Sequence, residues 1–275
     1  MRRVIAVCAA TAAVALPLVL TTPAAAADDA KVTVVHGVPG LTVDVYGSAD
    51  ETYTAEEALL QDFEPGTVTD PVDLPGGTYN LAVFPAGADP SGDPAIEATG
   101  VEVPAGANLS VVAHLNASGD PVLAAFANDV DPVAAGQARL VVRHTAAAPA
   151  VDILAGGKPV FSGLTNPKED SADLPAGSVS AAVALAGTTD PVIGPADLDL
   201  KEGTSTIVYA YGSAEDANLA LAVQTIGGLH SSPSGVPSGT AELPADRTPF
   251  ALAGIALLAL VAAGAMGRRA QRVRA

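Results

Sequence analysis

The chain has 275 residues, 49% of them hydrophobic, and sets 30 acids against 13 bases for a net charge of −17. Charge of that sign repels phosphate backbones, so no nucleic-acid partner is expected. There is no tryptophan, aromatic residues make up 4%, and Cys8 is the single cysteine. Stacking platforms for sugars are therefore scarce, and stability must come from buried apolar surface instead of disulfides.

The N-terminus begins Met1-Arg2-Arg3, runs apolar from Val4 to about Leu20, and reaches Ala24–Ala27 just before Asp28 and Asp29. A basic start, a short apolar run and small residues are the parts of a secretory signal. Residues 1–27 are read as that signal, cut after Ala26 or Ala27 and taking Cys8 with it.

The middle of the chain holds an internal repeat. Val32–His36 corresponds to Leu140–His144 and Val43–Val45 to Val151–Ile153, both at an offset of 108. Asp73–Gly77 matches Asp173–Gly177 at 100, and Leu109–Ala113 matches Ser205–Tyr209 at 96. The shrinking offset implies extra residues in the first copy, placed between Ser48 and Thr69. A period this long marks tandem domains, because solenoid repeats run to about 50 residues. The domains are placed at 30–132 and 137–226.

In the first copy, strands are expected at 31–36, 42–46, 68–73, 78–84, 95–103, 108–115 and 121–126, with a helical insertion over Thr54–Asp62. In the second they are expected at 138–144, 150–154, 159–163, 169–173, 178–185, 192–200, 204–211 and 219–225. Turn signals such as Pro75-Gly76-Gly77 and Pro175-Ala176-Gly177 separate them. This spacing predicts an all-β fold of two antiparallel β-sandwiches, immunoglobulin-like or transthyretin-like.

Gly227 opens a Gly/Ser/Pro-rich stretch, and residues 227–248 are read as a flexible stalk. Phe250–Met266 is an uncharged apolar run bounded by Arg247 and by Arg268, Arg269, Arg272 and Arg274. Residues 249–267 are expected to cross the membrane as one helix, with residues 268–275 as a cytoplasmic basic tail. Leu243-Pro244-Ala245-Asp246-Arg247 has the first two residues of a sortase motif, but Asp246 and Arg247 stand at the cleavage point. All 30 acids fall between Asp28 and Asp246; without Arg2, Arg3 and the four tail arginines only seven bases oppose them, a balance of −23 on the outer side.

A strand ending in His, a turn, Val-Asp-Val and then Leu-Pro-x-Gly before another strand resembles the family catalogued as domain of unknown function 4397. The resemblance extends over both copies. It implies an exported bacterial protein and a tandem arrangement, and brings no agreed activity. Members usually carry His-x-Ser-Pro-Asp-x-Pro between the first two strands. Here His36-Gly37-Val38-Pro39-Gly40 and the loop from His144 to Pro149 depart from that pattern.

His36 and His144 each precede an aspartate, Asp44 and Asp152, by eight residues. One reading couples His and Asp as an acid–base or metal pair. The plainer reading has each His close a strand by bonding the turn backbone. Strand parity turns His36 inward, in line with Val32 and Val34, and Asp44 outward. Calcium could be taken by acidic loops at Asp89–Asp93, Asp129–Asp131 and Glu215–Asp216. No nucleophile stands in an elbow context and no cofactor motif is present.

The resulting expectation is a membrane-anchored bacterial surface protein in a non-catalytic binding, adhesion or envelope role. Its partners would be the membrane, through the C-terminal helix, and an envelope or extracellular protein. The alternatives are a small-ligand or calcium module, and a hydrolase whose site follows no known motif.

Overall fold

The computed structural model describes residues 28–48, 53 and 58–231. The expected signal, the Leu243–Arg247 segment, the expected membrane span and the basic tail lie outside them. Every regular element among the described residues is a strand. The first eight are β1 (Ala30–Gly37), β2 (Val43–Ser48), β3 (Ala58–Phe63), β4 (Val72–Leu74), β5 (Gly77–Pro85), β6 (Ile96–Val103), β7 (Asn108–Leu115) and β8 (Pro121–Ala127). The second eight are β9 (Gln137–Ala147), β10 (Val151–Ala155), β11 (Lys158–Leu164), β12 (Glu169–Pro175), β13 (Gly177–Leu185), β14 (Pro191–Leu200), β15 (Ser205–Ser213) and β16 (Ala220–Ile226).

These strands form four four-stranded sheets in two sandwiches. The first sandwich has orders β4-β1-β7-β8 and β3-β2-β5-β6; the second has β12-β9-β15-β16 and β11-β10-β13-β14. Each strand of the second set takes the place of its counterpart in the first. β1 runs parallel to β7, and β9 parallel to β15, while every other strand pairing is antiparallel.

Strand alternation explains the cores. Val32, Leu109 and Val111 pack with Val103 inside the first sandwich, and Leu140, Val142 and Val208 pack with Ile153 and Val183 inside the second. The opposite faces of β1, β7, β9 and β15 are covered too. Val35, Val112, Val141, Ile207 and Tyr209 form one further cluster, in which the two sandwiches meet. Strands buried on both faces lose the polar half of their alternation, so Val32–His36 and Leu140–His144 read as nearly unbroken apolar runs.

Three expectations need correction. The segment expected as a helix over Thr54–Asp62 supplies β3 from Ala58 onward, paired with β2, while 54–57 lie outside the described residues. Ala, Glu and Leu favour helix, but the open edge of β2 overrides that weak preference. The parallel ladders pair Val32 with Leu109 and Leu140 with Thr206, so the late offset is 97 and not 96. The expected stalk is fixed at its start: Leu229 donates to the Gly203 carbonyl, and His230 bridges to Val133.

The registers also locate the extra residues of the first copy. Val43 pairs with Phe63 and Val151 with Leu164, so the first copy spends seven more residues between those strands. Val83 pairs with Ile96 and Val183 with Ile193, a further three.

Candidate functional site

His36 and His144 sit at equivalent strand ends, and both are buried. His36 Nε2 donates to the Leu41 carbonyl at 2.8 Å, and its Nδ1 accepts from the Val38 N–H at 3.4 Å. His144 repeats this with the Pro149 carbonyl at 3.0 Å and the Ala146 N–H at 3.4 Å. Both rings are thus neutral and tie the end of one strand to the following turn. Burial pushes the pKa of each below the ordinary value, against the opposing pull of the carbonyl bond.

The aspartates are engaged as fully. Asp44 accepts from the Asp62 and Gly87 N–H groups, each at 2.9 Å. Asp152 accepts from Gly163 and Gly187, each at 2.8 Å. Parity does turn these side chains away from the sandwich core, yet they are buried, because the neighbouring bulge and hairpin turn close over them. The bulge donor needs a left-handed backbone. Gly163 adopts it freely at φ 68°, whereas Asp62 holds it at φ 51° despite its side chain. With both ring nitrogens and both carboxylate oxygens bonded to backbone, His and Asp form two separate clasps and no acid–base couple.

The acidic loops have local occupations. Asp89 Oδ1 accepts from the backbone and hydroxyl of Ser91. Those bonds hold its carboxyl below the usual range. Asp129 pairs with Arg139 at 2.8 Å, and Arg139 also donates to the carbonyls of Asp129 and Asp131. Glu215 and Asp216 are exposed. Among the described residues no three His, Cys, Asp or Glu side chains converge as a metal would require.

The densest polar cluster is one that sequence reasoning missed. Arg143 is 1% exposed and lies between the sandwiches. It donates to Glu169 at 2.6 Å, to the Tyr209 hydroxyl at 2.8 Å and to Asn128 Oδ1 at 2.9 Å, and its guanidinium lies 4.5 Å from the Phe126 ring centre. Gln224 Oε1 accepts from Tyr209 at 2.6 Å and from Ser110 at 2.9 Å, while its Nε2 donates to Thr33 at 3.1 Å. Burial raises the Tyr209 pKa, with Arg143 pulling the other way. The only available signal was an arginine inside the apolar run Leu140–His144. Chemically, the cluster fastens two halves together, since Arg143 bonds Asn128 and Gln224 bonds Thr33 and Ser110 across the interface.

Two openings stand out among the described residues. A groove of about 690 Å³ runs between the sandwiches beside β16, lined among others by Lys31, Asp70 and Val223. A second cavity of about 440 Å³ opens at one end of the second sandwich, against His144, Pro149, Leu185 and Val192. The matching place in the first sandwich is better filled. There Phe63 stacks on His36 with ring centres 5.7 Å apart, and Val38 packs beside it.

Residues 30–154 match the family described as Domain of unknown function (DUF4397). The match spans the first sandwich and runs on through β9 and most of β10. No curated protein matches. Among solved structures, a candidate cell adhesion protein from Bacteroides ovatus is similar at 12% identity, covering 76% of this chain and all of that one. Its TM-score is 0.22, too slight a likeness to bear on function.

Proposed function

We propose that this chain, with a DUF4397 domain at 30–154, is an exported surface protein held to the membrane by residues 249–267 and acting by binding, without catalysis. The observation that carries this reading is the twin arrangement of His36 with Asp44 and His144 with Asp152. Both copies spend these residues on the same backbone bonds, which leaves them to shape loops and not to move protons. The acidic excess and the basic tail, read from the sequence, support an outward-facing body and an inward-facing C-terminus.

Protease treatment of intact cells tests the placement. The expected outcome is loss of the body with a C-terminal tag protected and retained in the membrane fraction; release of intact chain into the medium would sink the tether. Cross-linking on cells should then capture an envelope or extracellular protein.

One observation favours a second reading, a small apolar ligand. The cavity beside His144 is walled mainly by apolar side chains, among them Pro149, Val151, Leu185 and Val192. A thermal-shift titration of the full chain with octanoate checks it, and an unmoved melting temperature retires it.

A further inference from the structure

Each sheet ends in two edge strands, and a free edge offers N–H and C=O groups to any extended chain. Among the described residues, seven of the eight edges carry a device against such pairing. β4 is three residues long, and β3 is bent by the bulge at Asp62. β6 carries Glu97, Glu102 and a kink at Gly100, and β8 starts at Pro121 and lies against β6. β11 begins Lys158-Pro159, β12 carries Glu169, Asp170 and Asp173, and β14 carries two prolines and two aspartates.

β16 has none of these. Ala220–Ile226 contains no charge, proline or glycine, and Val223 stands 45% exposed. Among the described residues β16 pairs with β15 alone. The 690 Å³ groove follows this edge, with Val223–Gly227 along one side and Val68–Pro71 along the other. Asp28, Asp29 and Asp70 line it as well, and its one lysine, Lys31, is already paired with Asp73 at 2.9 Å. The groove therefore joins an unguarded edge to an excess of negative charge.

We propose that β16 is a docking edge for an extended segment of a partner protein bearing Lys or Arg, which joins the β12-β9-β15-β16 sheet as a fifth strand. This deepens the binding role above and rests on it. Main-chain bonds to β16 supply affinity, and the groove carboxylates select for basic flanks. A second copy of the chain fits less well, because pairing β16 with itself brings two sets of Asp28, Asp29 and Asp70 together. The chain's own 232–248 segment contains Pro233, Pro237 and Pro244, which cannot donate to a ladder.

The probe is a synthetic nonapeptide of alternating valine and threonine with lysine at each end. One control carries glutamate in place of lysine, and another carries proline at its centre. Titrated against the full chain in detergent, the lysine peptide should bind about tenfold more tightly than either control, a preference that fades with salt. Hydrogen exchange should slow at residues 220–226 when it binds. Val223→Lys should abolish binding with the melting temperature unchanged, and Asp70→Asn should reduce the lysine preference.

Equal binding of all three peptides, or protection away from β16, overturns the proposal. So does protection of β16 that grows with chain concentration in the absence of peptide, which would assign the edge to a second copy. A Val223→Lys chain that still captures its envelope partner on cells retires this edge and leaves the binding role standing. A wild-type chain that captures none fails the role itself.

Discussion

The two sandwiches share a strand order, yet the faces they press together differ position by position. Where the first presents Thr33, Ser110 and Asn128, the second has Val141, Ile207 and Ile226 at the matching ladder positions. Where the first presents Val35, Val112 and Phe126, the second has Arg143, Tyr209 and Gln224. The exchange is complementary, since Gln224 reaches Thr33 and Ser110 while Arg143 reaches Asn128. Two first sandwiches set face to face would place Phe126 where Gln224 stands and strand Thr33 and Ser110 without partners. The interface thus accepts the unlike pair and penalises the like one, a specificity made as much by rejection as by attraction.

The strongest way to break this comparison is Arg143→Ala. It leaves Asn128, Tyr209 and Glu169 short of their donor inside the interface, and should cost about 3 kcal/mol by urea denaturation. A loss below about 1 kcal/mol would mean that the rows match in shape only.

The clasps test how alike the copies remain. Asp44→Ala and Asp152→Ala each strand two backbone N–H groups, and each should cost about 2 kcal/mol. Unequal losses would show that one copy depends on its clasp more than the other.

The next contrast is an ion pair that occurs twice. Lys31–Asp73 in the first copy corresponds to Arg139–Asp173 in the second, but Lys31 is exposed and the Arg139 side chain is only 9% so. Arg139→Ala should cost about 1.5 kcal/mol, because it also frees Asp129 and the carbonyls of the inter-sandwich linker. Lys31→Ala should stay within about 0.5 kcal/mol.

The smallest expected difference is in acid. His36, His114 and His144 are held neutral by burial, with folded-state pKa values below the unfolded value of about 6.5. As pH falls through that value the unfolded chain binds protons that the folded chain refuses. Stability is therefore full above about pH 6.5 and declines below it, by at most about 1.4 kcal/mol per pH unit for each histidine. In melts between pH 7.5 and 5.5, His36→Asn and His144→Asn should flatten the slope equally. A slope that neither variant changes would show that the clasps do not carry the acid response.

Much of the fold was legible because turns are written in glycine and proline and strands in valine. Both parallel-paired partners, β1 with β7 and β9 with β15, announced themselves as apolar runs, since burial on two faces removes the alternation. β3 was illegible because its sequence, rich in Ala and Leu and preceded by two glutamates, prefers a helix, and only the edge of β2 makes it a strand. The histidine bonds to the turn could be anticipated from residues at a strand end. The burial of Asp44 could not, because its donors lie 18 and 43 residues away in the chain. Arg143 was hidden for a similar reason: its meaning depends on Asn128, Phe126 and Tyr209, which no local pattern connects.

The divided face of the first sandwich also bears on how the chain is made. Val35, Val112 and Phe126 leave the ribosome before the strands that will cover them, with the second copy still to be synthesised. At about 5–20 residues per second, the roughly 100 residues of that copy take about 5–20 s. For that interval the rows Thr33, Ser110 and Asn128 interrupt the apolar surface with groups that water can satisfy. A nascent first domain can wait for its partner without offering neighbouring chains a continuous sticky face.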